Sequence, residues 1–101
     1  MTWSLLIRPS AEQDLRQVRH WYAVEAPEQV DRFEAELDDM FGLIVEHPMM
    51  FPVLRSEARR AHLKVFPYDV WYLVHAEPQV VEVIAVVHDR RDRAPVHDRL
   101  S

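Results

Sequence analysis

Apolar positions change period twice along this chain. Residues 3–8, WSLLIR, set Trp3, Leu5 and Ile7 on one side at period two, which predicts a short strand stopped by Pro9 and Ser10. Ser10 and Gln13 have the spacing of a capping box, in which each side chain satisfies an end amide of a helix. Ala11, Leu15, Val18 and then Trp21 or Tyr22 recur at helical spacing. Pro27 suits the first turn of a second helix, where a missing amide hydrogen costs nothing. Val30, Phe33, Leu37, Met40, Phe41 and Ile44 form its stripe, which ends at His47-Pro48. The segment MMFPVLRSEA reads as a loop. Three strand-like runs follow, at 59–66, 69–76 and 80–88, joined by connectors short enough for hairpins. The expected architecture is α+β in the order β-αα-βββ: an antiparallel sheet packed on a helical hairpin, one domain over residues 1–101.

Symmetric hairpins assign faces to the last three strands. Closing the final hairpin about residues 77 and 78 sets Tyr72 opposite Val83, Trp71 opposite Ile84 and Val70 opposite Ala85. Closing the preceding one about 66 and 67 sets Leu63 opposite Val70 and His62 opposite Trp71. Opposed residues share a face. One face then carries Ala61, Leu63, Val65, Val70, Tyr72, Val74, Val81, Val83, Ala85 and Val87, the natural partner of the helices. The other carries Arg60, His62, Lys64, Trp71, Leu73, His75, Glu82, Ile84, Val86 and His88. A mixed surface of that kind is either covered by something else or used.

Composition narrows the function classes. At 101 residues, 49% apolar and 29% charged, the chain reads as globular. It contains no apolar run long enough to span a bilayer and its first residues lack the features of a secretory signal, so a cytoplasmic location is expected, with no membrane partner. Cysteine is absent, which removes disulfides and thiol chemistry. The net charge of −5 is unevenly spread: residues 9–47 carry ten acids against three arginines, and residues 48–101 carry eight bases against seven acids. Such a balance disfavours binding to nucleic acid through phosphates, so no direct DNA binding is expected of the chain alone.

The element order resembles the RelE/ParE superfamily, the toxins of bacterial type II toxin–antitoxin pairs. So do Ser10-Ala11-Glu12 with Asp14-Leu15, Pro48 after the second helix, Phe66-Pro67-Tyr68 with Val70 and Tyr72, and an apolar strand ending in His88, Arg90 and Arg91. The ending His88-Asp89-Arg90-Arg91-Asp92, with Arg99 beyond it, is more similar to the ParE branch. The sequence departs from the branch pattern at Asp89, Arg93 and Val96. The resemblance implies a toxin held inactive by a cognate antitoxin. A ParE-like toxin inhibits DNA gyrase by binding it, with no catalysis of its own, and belongs to plasmid-stabilisation modules. A RelE-like toxin is a metal-independent endoribonuclease that cuts mRNA on the ribosome. A non-toxic relative serving partner binding or operon control is a third reading.

The residues weigh these readings differently. RNA cleavage needs a base, an acid and cations for the phosphorane; the candidates are His88, Arg60, Lys64 and Arg90, with His62 and Arg91 nearby. No aromatic residue follows Tyr72 to stack a base, and the overall charge is wrong for gripping RNA. Gyrase inhibition needs only a protein-binding surface, for which Arg90, Arg91, Trp71 and His88 are the candidates. Phe33, Leu37, Phe41, Trp71, Leu73 and Ile84 are candidates for antitoxin contact, since an amphipathic helix in a groove is a common recognition mode. Structural roles compete with each of these. Phe33, Leu37 and Phe41 are most simply core, Arg90 and Arg91 most simply surface cations, and His88 a hairpin-corner group beside Tyr68. His20, His47, His62, His75, His88 and His97 show no helical ligand spacing, so neither a metal nor a cofactor is expected.

Overall fold

The computed structural model describes residues 3–89 and 94–100. Its elements are β1 (Ser4–Ile7), α1 (Pro9–Glu25), α2 (Val30–Glu46), β2 (Val53–Arg55), β3 (Ala58–His62), β4 (Tyr68–His75), β5 (Val80–His88) and α3 (Ala94–Leu100). The expected β-αα-βββ order is present, with two additions. A short β2 lies within the expected loop, and α3 follows the last strand.

Helix α1 starts one residue earlier than a Ser10 cap requires. Pro9 occupies its first turn, and the cap position, Arg8, makes no side-chain cap bond. The Ser10 hydroxyl donates instead to the Ile84 carbonyl across the sheet edge, at 3.3 Å. Ala11, Leu15, Val18 and Tyr22 form the buried face of α1, and Phe33, Leu37, Met40 and Ile44 that of α2. Both sets recur at steps of three and four, so each makes one continuous stripe. Of the two aromatic neighbours, Tyr22 turns inward and Trp21 stays 52% exposed. Between the helices Ala26 leaves helical geometry, at φ −151° and ψ 63°, and Pro27 opens a single 3-10 turn.

The sheet is mixed, in the order β1-β5-β4-β3-β2. The last four strands form the expected antiparallel array. β1 is added on the far side, parallel to β5, from Ser4↔Val80 to Ile7↔Val83. A parallel neighbour requires a long crossover, which the helical hairpin and the rest of the sheet provide.

Registers differ from symmetric hairpins in two ways. β3 and β4 pair Ala61↔Val70, Arg60↔Trp71 and His62↔Asp69, two residues from the expected alignment. An even shift leaves the faces unchanged. It arises because β3 ends at His62, not at Phe66. The backbone amides of Lys64, Val65 and Phe66 turn away from the sheet to the Glu36 carboxylate on α2, at 2.6–3.2 Å. Val65, expected in the core, is accordingly 55% exposed.

The second difference is a bulge. β4 and β5 pair as expected from His75↔Val80 to Tyr72↔Val83, and then Trp71 meets Ala85 and Val70 meets Val86. Ile84 is the extra residue. A bulge places two residues of one strand against one of its partner and reverses the alternation beyond it. Val86 therefore joins the helix-facing core, while Ala85 and Val87 join the opposite side. His88, paired with Tyr68, moves to the helix side as well.

Two cores result. The larger lies between the helices and the inner sheet face, with Leu63, Val70, Tyr72, Val81 and Val83 at its centre and an aromatic cluster of Tyr22, Phe33, Phe66 and Tyr68 at one end. The smaller lies on the outer face, where α3 lays Val96 and Leu100 over Ala58, Trp71, Ile84 and Ala85. The apolar part of the outer face is thus covered by the chain itself, while His62 and His75 on the same face stay exposed.

Candidate functional site

The polar groups of interest sit where β3, β4 and β5 end together. On the outer face, His62 and Asp69 are directly opposed, with His62 Nδ1 at 2.6 Å from Asp69 Oδ1. Asp69 is 1% exposed, and Arg60 Nη1 lies 4.0 Å from its other oxygen. A buried carboxylate is costly unless it is paired and hydrogen-bonded. The pairing places the imidazole proton on Nδ1, since a carboxylate accepts and does not donate. The second ring nitrogen, Nε2, lies 3.9 Å from Asp89 Oδ2. Asp89 also approaches His88 Nδ1, at 3.4 Å.

His88 belongs to the other side. Its ring meets Tyr68 edge-to-face with centroids 5.5 Å apart, and both residues line a cleft beside α1. The expected grouping of His88 with Arg60, His62 and Lys64 on one face is therefore corrected. The Ile84 bulge turns His88 over, and Lys64 lies beyond the end of β3 with its backbone amide on Glu36. Arg60 and His62 share the outer face; His88 does not join them.

The other candidate residues divide by burial. Trp71 and Ile84 are sealed under α3, at 1% and 0% exposure, and offer no surface in this arrangement. Phe33 and Leu37 are in the main core. Their helical stripe packs inward, so as placed they present nothing for a partner to touch. Phe41 and Leu73 are half-buried and keep some accessible surface. Arg90 and Arg91 lie outside the described residues. Among the described residues no three histidine or acidic side chains converge as a metal site, and no helix is long and apolar enough to cross a membrane.

A polar clip escaped the sequence reading. β1 ends at Ile7 and the chain turns into α1 at Pro9, so β5 runs beyond its neighbour. Asp14 from α1 and Arg99 from α3 meet around that edge. Arg99 Nη1 donates to Asp14 Oδ2 at 2.6 Å and to the Ile84 carbonyl at 2.9 Å, and Nη2 donates to Asp14 Oδ1 at 3.1 Å. The Val86 amide donates to Asp14 Oδ2 at 3.0 Å. The bulge and the missing strand partner thus have their backbone groups satisfied by side chains, as a buried edge requires. Arg8 extends the clip, donating to the Arg99 carbonyl at the end of α3 and to Glu82 Oε2. The Arg8 guanidinium, with His75 on the second oxygen, holds the Glu82 carboxyl below its usual range. Individually these residues look like surface charges. Only the topology shows that one edge gathers residues from both ends of the chain.

Comparison with known proteins locates this arrangement. Residues 5–93 match the family model described as the ParE toxin of the type II toxin–antitoxin system parDE. The chain is 28% identical over 102 residues to a protein of Mycobacterium tuberculosis named Toxin ParE2, covering all of this chain and 95% of the relative. Among solved structures it is similar to the chromosomal ParDE system of P. aeruginosa, at TM-score 0.71, 14% identity and coverage of 86% and 96%. It is also similar to the toxin–antitoxin complex RelBE2 of M. tuberculosis, at TM-score 0.62, 17% identity and coverage of 87% and 99%.

Proposed function

Because the chain belongs to the ParE toxin family of type II toxin–antitoxin systems, we propose that it acts in the bacterial cytoplasm by binding and inhibiting DNA gyrase without catalysis of its own. In this reading a cognate antitoxin neutralises it. A partner of that kind is in keeping with the fold's similarity to a toxin–antitoxin complex. The observation that carries the non-catalytic reading is the division produced by the bulge. Among the described candidates, His88 lies on the helix side beside Tyr68, Arg60 on the outer face beside Asp69, and Lys64 beyond the end of β3. General acid–base cleavage needs its groups within hydrogen-bond reach of one reacting centre. A binding inhibitor needs none of that, and its acidic helices are no obstacle.

The nuclease reading keeps one specific observation in its favour. His62 is oriented by a buried carboxylate and shares its face with Arg60. An imidazole held that way has the geometry of a positioned base.

The deciding experiment is a short induced pulse of the protein in bacteria lacking the antitoxin, with thymidine and methionine incorporation followed in parallel. Early arrest of DNA synthesis, followed by inhibition of supercoiling by purified gyrase, is the expected result. Arrest of protein synthesis while DNA synthesis continues overturns it and directs attention to His62. Accumulation of soluble protein with neither arrest overturns both readings.

A further inference from the structure

The described residues leave a cleft beside the overhanging end of β5. It has a volume of about 440 Å³ and lies between Trp21, Tyr22 and Gln17 of α1 and Tyr68, Val86 and His88 of the sheet, with Asp14 also in its lining. Ligand sites commonly fall in the range of about 300–1,000 Å³. Trp21 meets Tyr22 edge-to-face at 5.0 Å, yet 52% of it remains in solvent. Tyr22 and Tyr68 approach to 6.4 Å, and Tyr68 leads on to His88. Trp21, Tyr22, Tyr68 and His88 therefore stand around one opening, with Tyr22 held by the core and Trp21 left largely in solvent.

We propose that this cleft is a socket for an arginine side chain of a protein partner. A guanidinium is planar, stacks on aromatic faces and donates in a fixed fork. The cleft's lining brings the exposed Trp21 ring together with the Gln17 amide group and the Asp14 carboxylate. Among the described residues, Asp14 Oδ1 accepts from Arg99 alone, at 3.1 Å, and so keeps a lone pair for a second donor. A planar anionic ligand, such as a nucleotide, is opposed by the acid excess of residues 9–47. Lysine has the charge but lacks the planar face. The inference rests on the reading that this protein acts through protein partners. Its test uses no assumed partner, so its failure leaves the gyrase and antitoxin results untouched.

The probe is an acetylated, amidated pentapeptide with one central arginine among glycine and serine, titrated against the full chain. The readout is the indole NH resonances of Trp3, Trp21 and Trp71, with Trp21 assigned through Trp21→Phe. The expected result is a saturable shift of Trp21 while buried Trp71 stays still. Replacing the arginine with citrulline is expected to weaken binding about tenfold, the scale of a partly desolvated cation–π contact. Trp21→Ala, at an exposed position, is expected to keep the melting temperature and lose the site. Equal binding of the citrulline peptide, retained binding by Trp21→Ala, tighter binding of AMP, or no saturable shift would each overturn the proposal.

Discussion

Replacing Arg99 with methionine tests whether the clip across the β5 edge holds α3 in place. The substitution keeps most of the side chain's apolar length and removes three hydrogen bonds, two to Asp14 and one to the Ile84 carbonyl. Both charged side chains are mostly shielded, at 20% and 14% exposure. An exposed pair contributes about 0–1 kcal/mol and breaking a fully buried one costs about 3–5 kcal/mol. This pair lies between those limits, and its loss leaves Asp14, among the described residues, with only the Val86 amide. The expected cost is about 2–3 kcal/mol. For a domain of this size that corresponds to a fall in melting temperature of very roughly 10–20 °C.

The loss has a ceiling. If α3 detaches locally before the domain unfolds, Arg99→Met costs no more than the docking of α3, and the outer core opens. Urea unfolding at 25 °C gives the global cost. Acrylamide quenching of Trp71 in a Trp3→Phe, Trp21→Phe background reads the local opening, because Val96 and Leu100 cover that indole. A cycle with Asp14→Asn isolates the pair, and its coupling energy is expected at about 1–2 kcal/mol. A cost below about 0.5 kcal/mol with no change in Trp71 quenching would place Arg99 among ordinary surface charges. The account of how β5 manages its edge would then fail.

Three further outcomes follow from the same geometry. Glu36→Gln keeps the side chain's shape but weakens the acceptor for the three amides at 64–66, and is expected to cost about 1–2 kcal/mol in urea unfolding; no change would mean that those amides are equally well served by water. Glu82 has its carboxyl held below the usual value of 4.5, chiefly by the Arg8 hydrogen bond, so its contribution to stability is full above about pH 4.5 and disappears as pH falls through the folded value; the urea midpoint should fall less steeply below pH 4.5 in Glu82→Gln, and identical profiles would refute the assignment. Tyr72→Phe removes the buried bond from the tyrosine hydroxyl to the Pro48 carbonyl and should cost about 1–2 kcal/mol, while spectrophotometric titration should leave that phenol, pushed up to about 12 by burial, un-ionised through pH 10.

Legibility followed the range of the interactions involved. Both helical stripes were readable because residues three and four apart report directly on one face, and Leu15, Val18, Phe33, Leu37 and Ile44 are all buried. Strand order after α2 was readable because the connectors are short. The parallel docking of β1 on β5 joins positions more than 70 residues apart, and no local pattern marks it. α3 was missed for a related reason. Seven residues with few apolar positions give almost no periodic signal, and the helix makes sense only against Trp71 and Ala85.

The site was less legible than the fold because it depends on register. One extra residue, Ile84, decides which side of the sheet carries His88, and with it whether the polar strand ends form one cluster or two. Nothing in the run Val83-Ile84-Ala85-Val86 distinguishes a bulge from regular alternation, since all four side chains are apolar and all four become buried. Burial on both faces is itself what makes the bulge possible here. With α3 on one side and α1 on the other, a reversal of alternation exposes no hydrophobic side chain. The bulge does leave backbone groups at 84 and 86 without strand partners, and Asp14, Ser10 and Arg99 supply them. The carbonyl that Arg99 takes and the side on which His88 falls both follow from Ile84 being accommodated as an extra residue. A variant lacking Ile84 leaves a regular ladder in which Ala85 still meets Trp71 and His88 still meets Tyr68, so Arg99 should lose its carbonyl acceptor while the Tyr68–His88 ring contact stays. If deletion carried His88 to the face of His62 while the protein stayed folded, the strand beyond residue 84 would have slipped and Ile84 would not be the extra residue.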